Sequence, residues 1–395
     1  MKVLYIATAF PRFEGDIITP WLVEVIRRLK AKGLDVEVYT SSYKGLSDQE
    51  LYGIKIHRFR YFFKQWEKLT HDETAVDRVK KGLLNKLLVL FYMLMGTVQI
   101  IKLARKQKYD IIHTHWPLPH AVFGHVACKI SRAKHILYFH GVELMWVKNE
   151  VKFLKPFLRW AIKQADAVMC NSSHTAARIK EIYNRDVHII PSGQAVMSIA
   201  KAAEPMKQVN NQKQILFVGR LVERKGVKYL IEAFSKIVNK VDARLNIIGS
   251  GPEMEMLQKL TRERGIDTKV NFLGMVSSKD LDYYYRNADI FVLPAVIDSK
   301  GDTEGLGVVL IEALTYKLPV IASNVGGIVD IIKNNETGLL VPEKDIDALS
   351  SAMLKLLTET DFANQLAENG YQYVNKMFNW DSITDQIINL FNSLK

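Results

Sequence analysis

Short apolar runs alternate with helical stretches along the whole chain, and this alternation limits its fold more than any other feature. Lys2 to Thr8 reads as an apolar strand, and the loop Ala9 to Thr19 carries Pro11, Gly15 and Asp16. A helix from Pro20 to Lys32 then stops at Gly33, and Asp35 to Thr40 is a second strand. Thr19 and Pro20 suit an N-cap and a first helical position, where a missing N–H costs nothing. Strand, loop, helix and strand in that order form a right-handed βαβ unit, which leaves the loop at the mouth of a parallel sheet. A strand-first unit opens again at Gln214, and Ala288-Asp-Ile-Phe-Val-Leu echoes Ala165-Asp-Ala-Val-Met-Cys. A chain of 395 residues holds two domains of ordinary size. The expectation is therefore an α/β protein of two doubly wound, Rossmann-like domains. Residues 1–200 and 201–375 are the two domains, joined through the polar stretch Ser198 to Lys213 with its Pro205 and paired Asn210 and Asn211.

The stretch Asp302-Thr-Glu-Gly-Leu-Gly-Val-Val-Leu-Ile-Glu-Ala-Leu314 carries the densest chemistry. Gly305 and Gly307 let backbone N–H groups approach a ligand, and a helix starting near Gly307 offers its positive end to an anion. Glu304 lies before that start and Glu312 about two turns inside, so an anionic ligand with hydroxyls at both ends suits the layout. An ordinary buried helix after a loop is the alternative. Arg220 and Lys225 follow the strand Gln214 to Val218, where a guanidinium fork and a mobile ammonium would meet an anion; solvated surface charge is the other reading. Gly249-Ser-Gly-Pro is a weak phosphate signal. His140 closes the apolar strand that begins at His135, and Gly141 lets the chain turn sharply there; a satisfied core histidine is the alternative. His113 and His115 sit on a strand, and packing or hydrogen bonding suits them better than zinc.

Composition sets outer limits. The hydrophobic share of 48% and charged share of 24% are those of a soluble globular chain. A net charge of +12 calls for an acidic partner: a membrane surface, nucleic acid or phosphorylated substrates. No nucleic-acid-binding module is recognisable, which excludes that class. Cys128 and Cys170 are far apart and fit a reducing compartment. The start MKVLYIATAF reads as a strand and not as a signal peptide, so a cytoplasmic location is expected. Leu83 to Ile101 approaches the length of a membrane span but carries Lys86 and runs on to Lys102 and Arg105; it reads as a buried or membrane-touching helix. Arg58, Arg60, Lys64 and Lys68 interleave with Phe59, Tyr61, Phe62, Phe63 and Trp66. Together with Arg78, Lys80 and Lys81 they could lie on an anionic membrane, or the aromatics could fold into the core. Asp280-Leu-Asp282 and Asp345-Ile-Asp347 sit in helix-start patterns, so no metal site is expected.

The string GDTEGLGVVLIEAL, followed by LPVIASNVGGI, resembles the motif of the retaining glycosyltransferases of family 4, also called group 1, which have the GT-B fold. The resemblance covers nearly the whole chain and implies two domains facing a deep cleft, with residues 376–395 a helix crossing back to the first domain. It implies that Glu304 meets hydroxyls of the donor sugar and Glu312 the ribose hydroxyls. It also implies that Arg220 and Lys225 bind the diphosphate, and that Gly249, Gly251, Val276, Gly305, Leu306 and Gly307 line the donor. His140 would lie beside the sugar, and Gly15, Asp16, Gly141 and Glu143 on the acceptor side. The family's Pro-Asn-Gly-Val-Asp is altered here by Ser192, Gln194 and Ala195, and Asp330 stands where Glu is frequent. The implied reaction moves a sugar from a nucleotide-diphosphate sugar to a sugar or lipid-linked acceptor in cell-envelope synthesis. Configuration is retained, and no cofactor or metal is needed. The alternatives are a GT-B enzyme acting on a small soluble acceptor, or a GT-B epimerase. A phosphorylase would need a pyridoxal-binding lysine, for which no signature stands out.

Overall fold

The computed structural model describes residues 1–16, 18–71, 78, 82–191 and 212–395. Lys80, Lys81, Ser192, Gln194, Ala195 and nearly all of the expected linker lie outside them. The chain forms two compact units: Met1–Gly193 together with Trp380–Lys395, and Gln194–Asn379.

The first unit is built on an eight-stranded sheet. Its strands are β1 (Lys2–Ile6), β2 (Asp35–Ser41), β3 (Gln49–Leu51), β4 (Ile54–Phe59), β5 (Ile111–His115), β6 (Lys134–Phe139), β7 (Ala167–Cys170) and β8 (His188–Ile189). They lie in the order β3-β4-β2-β1-β5-β6-β7-β8, all parallel except the β3–β4 pair. The central strands are buried on both faces, which is why they read as unbroken apolar runs and not as alternating ones. Chain order reverses between β1 and β5, so the loops after these strands diverge and leave a crevice at their carboxyl ends.

The helix Pro20–Ala31 and the C-terminal helix Trp380–Ser393 cover one face of this sheet. Leu22, Val25, Ile26 and Leu29 share a core with Trp380, Ile383, Ile387 and Phe391. Arg28 and Lys32 pair with Asp381 and Asp385 along the rim of the contact. Thr19 does not cap the first helix. Its backbone is left-handed (φ 45°) and its hydroxyl makes no capping bond, so Pro20 alone marks the start.

The basic-aromatic stretch divides between the two readings: its first residues fold into the core and its later ones stay on the surface. Arg58 lies on β4, on the same face as Ile54 and Ile56 because side chains alternate along a strand. It is 3% exposed, and its guanidinium donates to the Phe10 and Pro11 carbonyls. Burial lowers its pKa to about 10. Arg60 pairs with the buried Glu67, while Phe59 and Tyr61 belong to the core. Lys64, Trp66 and Lys68 remain exposed.

The second unit carries six parallel strands: β9 (Lys213–Val218), β10 (Ala243–Ile248), β11 (Val270–Gly274), β12 (Ile290–Leu293), β13 (Val320–Ser323) and β14 (Leu339–Val341). Their order is β11-β10-β9-β12-β13-β14, so the reversal falls between β9 and β12. One continuous apolar core joins both faces of the sheet to its helices.

Candidate active site

In the second unit the loops after β9 and β12 flank the reversal and are fastened to each other. Val296 N donates to the Arg224 carbonyl at 2.9 Å, and Ser299 donates to Glu223 from its backbone N (3.0 Å) and its hydroxyl (2.6 Å). Lys225 Nζ donates to Glu304 Oε2, and Arg224 Nη1 lies 3.3 Å from the same oxygen. Arg224 Nε is also 3.8 Å from Asp302. Burial alone would raise the Glu304 carboxyl. The charges of Lys225 and Arg224, with the Gly307 N–H, outweigh burial and hold it below the ordinary range. Arg224 was not singled out from sequence, although it adjoins Lys225. Arg220, which was, is exposed, and its guanidinium has no partner among the described residues.

The helix Val308–Thr315 starts at Gly307, whose φ of 91° only glycine adopts without strain. Gly305 and Leu306 lead into it, and Leu306 is buried. Two further glycines hold this loop. Gly327 N donates to the Glu304 carbonyl at 2.9 Å. A Cβ at Gly326 or Gly327 would come within 2.2 Å or 2.1 Å of the Glu304 or Gly305 carbonyl oxygen. Gly249 and Gly251 do the same for the β9 loop, lying against the Gly219 and Leu221 carbonyls. Val276 is half-buried beyond β11.

Glu312, two turns into the helix, is 9% exposed. Tyr285 Oη donates to its Oε2 at 2.9 Å, and Oε1 has no partner among the described residues. Burial pushes its carboxyl up to about 7, against the opposing effects of Tyr285 and Lys225. Tyr285 stacks on Tyr316 at 4.9 Å, which fixes the ring that holds Glu312. Asp282 is occupied by Arg286 and by Tyr316 Oη, and Asp345 caps Ala348 N. A cavity of about 250 Å³ opens at the opposite, amino-terminal ends of the strands. Charges lining it are already paired, Lys213 with Asp289 and Lys317 with Glu368.

In the first unit His140 follows β6 at the carboxyl edge of the sheet. Its Nε2 is 3.1 Å from His115 Nδ1, and Trp116 stacks on its ring at 4.3 Å. Burial, helped by His113, lowers its pKa to about 3, so the imidazole is neutral. Tyr5 Oη, both His113 nitrogens and His115 Nε2 have no protein partner among the described residues. Their residues border a cavity of about 20 Å³, the size of one water. Gly141 turns the chain at φ 99° into the helix Val142–Asn149. Glu143 is fully buried there and accepts the His140 N–H at 2.9 Å. Burial raises its carboxyl to about 7.

Asp16 is buried and paired. It accepts Arg12 Nε at 2.7 Å and Nη2 at 3.0 Å, and this pairing holds its pKa down at about 2. Gly15, beside it, takes a positive φ of 89° and donates its N–H to Tyr52 Oη.

Residues 199–373 match the family described as glycosyl transferases group 1, and residues 20–194 match glycosyltransferase family 4. The chain belongs to the group 1 glycosyltransferases. Such a glycosyltransferase moves a sugar from a nucleotide-sugar donor to an acceptor. The chain is 28% identical over 359 residues to a GDP-mannose-dependent alpha-(1-6)-phosphatidylinositol monomannoside mannosyltransferase of Mycobacterium tuberculosis, covering 88% of this chain and 92% of that one. It is 24% identical over 304 residues to N-acetyl-alpha-D-glucosaminyl L-malate synthase of Bacillus anthracis, covering 75% and 77%. Among solved structures, sucrose-phosphate synthase of Thermosynechococcus elongatus superposes with a TM-score of 0.72 at 22% identity, over 100% of this chain and 98% of that one. HepE of Anabaena, in complex with UDP, superposes with a TM-score of 0.71 at 18% identity over 100% of both chains. The glycosyltransferase has the GT-B fold.

Proposed function

We propose that this glycosyltransferase transfers a sugar from a nucleoside-diphosphate sugar to a lipid-linked hydroxyl in cell-envelope synthesis, with retained configuration and without a metal. The observation that carries the reading is the meeting of Lys225, Arg224 and the Gly307 N–H on one carboxylate, Glu304, at a helix start beside the strand reversal.

Charge grows on the departing diphosphate as the glycosidic bond breaks, and preorganised donors lower that barrier. Lys225, Arg220 and the N–H groups of Gly305 to Gly307 supply them, and Arg224 adds a second guanidinium. Glu304 already serves as an anionic partner for these cations. An arriving diphosphate competes for Lys225 and frees the Glu304 carboxylate toward the sugar hydroxyls. Glu312 uses its unpartnered Oε1 for the ribose. The neutral His140 imidazole can donate a hydrogen bond to the sugar without adding charge, with Gly141 and Glu143 shaping the turn behind it. No carboxylate is assigned as a nucleophile, so the departing phosphate takes the acceptor's proton. The mannosyltransferase relative, named for a phosphatidylinositol acceptor, favours a lipid acceptor.

Radiolabelled uridine and guanosine diphosphate sugars, incubated with a bacterial lipid extract and with or without EDTA, test the reading. The expected product is a labelled lipid of unchanged anomeric configuration, formed equally in EDTA. An inverted product, EDTA loss reversed by Mg²⁺, or donor epimerisation without transfer would each overturn the corresponding element.

A further inference from the structure

The helix Leu83–Lys106 buries only a narrow stripe. Leu88, Tyr92, Gly96, Ile100 and Ala104 recur every four residues and face inward. That stripe is pinned: Tyr39 Oη donates to the Gly96 carbonyl at 2.6 Å, and Gln99 Nε2 to the Arg60 carbonyl at 2.7 Å. Tyr92 Oη lies 2.8 Å from His120 Nε2. A Cβ at Gly96 would come within 2.5 Å of the Phe123 ring, so this helix meets the helix Pro117–Ser131 backbone to ring.

The other side of the same helix is also apolar, and among the described residues nothing covers it. Leu83, Leu87, Leu90, Leu94 and Val98 are exposed, Leu83 by 82% and Leu90 by 64%. At the helical repeat these five residues fall within roughly 80° of arc. A helix that is apolar all round normally belongs inside a protein or against lipid. Beside it, Phe62 packs on Phe91 at 5.1 Å and brings along Phe63 and Trp66, both exposed.

Charge decides what covers this face. The helix contains no Asp or Glu, but it carries Lys86, Lys102, Arg105 and Lys106, and Lys64 and Lys68 stand exposed on the neighbouring segment. A second copy related by a two-fold axis would bring this basic fringe against itself. Anionic lipid headgroups complement it, and aromatic side chains are at home at that depth. We infer that this face lies in the plane of a bilayer, its leucines at the acyl boundary and its lysines among the headgroups. The pinned inner stripe keeps the helix on the domain and prevents it from crossing the membrane. The inference deepens the lipid-acceptor reading and rests on it: docking holds the first unit where its acceptor resides.

Co-sedimentation with vesicles of phosphatidylcholine, with and without phosphatidylglycerol, tests it. The protein should bind the mixed vesicles, bind the neutral ones more weakly, and remain partly bound in high salt. Trp66 fluorescence should shift to the blue. The combined variant Leu87→Ser, Leu90→Ser, Leu94→Ser changes only solvent-facing side chains. It should keep the wild-type circular dichroism and donor turnover in solution while its partition coefficient falls roughly a hundredfold. Wild-type binding by that variant, or no vesicle binding by the wild type, overturns the inference. So does a concentration-dependent dimer in ultracentrifugation that the substitutions abolish. Vesicle binding without lipid glycosylation upholds the docking face and overturns the acceptor reading alone.

Discussion

One paired glutamate and one buried glutamate carry the residue-scale expectations. Glu304 is the partner of Lys225 and Arg224, so a diphosphate has to compete with it. Glu304→Gln removes that competitor while weakening the hold on the sugar. Calorimetry with the free nucleoside diphosphate should show affinity rising by up to about tenfold. Turnover should drop by roughly a hundredfold or more. A parallel fall in both quantities would contradict the competition. Glu143 titrates differently. Its carboxyl is raised from 4.5 to about 7 by burial, so the folded protein favours the protonated form. The stability this contributes is complete below the ordinary value and is lost as pH rises through about 7. The melting temperature should therefore decline between roughly pH 5 and pH 8, and Glu143→Gln should flatten that decline, which corresponds to up to about 3 kcal/mol of stability across the window. An unchanged slope in the variant would mean that Glu143 is not its source.

At the scale of elements, the strand-helix alternation was legible where a strand is a short apolar run, as in β1, β6, β9 and β12, and was not legible at β3 (Gln49–Leu51) or β4 (Ile54–Phe59), which mix polar and apolar residues. What stayed hidden were partners distant along the chain. Arg224 meets Glu304 across 80 residues, and Tyr285 meets Glu312 across 27; no local pattern announces either contact. Arg58 is a different case. Ile54, Ile56 and Arg58 share the buried face of β4, so its strand period did point inward, but the charge argued for the surface. The loop before the Val308–Thr315 helix shows how an element positions a side chain it does not contain. Gly327→Ala would drive a methyl into the Gly305 carbonyl, displacing Glu304 from Lys225. We expect ~1–3 kcal/mol of lost stability and a roughly hundredfold loss in transfer rate, since small misplacements are costly to catalysis. Transfer assays beside thermal melts would separate the two, and a rate within twofold of wild type would show that the glycine is dispensable there.

At the scale of the whole molecule, the first unit is assembled from both ends of the chain, because Trp380, Ile383, Ile387 and Phe391 complete the core under β1 and β5. Protein synthesis runs in one direction. When residue 193 leaves the ribosome, the face that those side chains will occupy is uncovered, and it stays so until the last helix is made. The second unit, continuous in sequence, has all its residues in hand earlier. Removing residues 380–395 should leave its protease resistance near that of the full chain while residues 1–191 become cleavable, which limited trypsin digestion would reveal. Equal resistance of both fragments would show that the helix is only an ornament. Otherwise the nascent chain carries an open greasy surface for the time needed to make nearly two hundred further residues. Expression of this enzyme should then depend on chaperones that bind nascent chains, and a stop codon late in the gene should harm the beginning of the protein more than its middle.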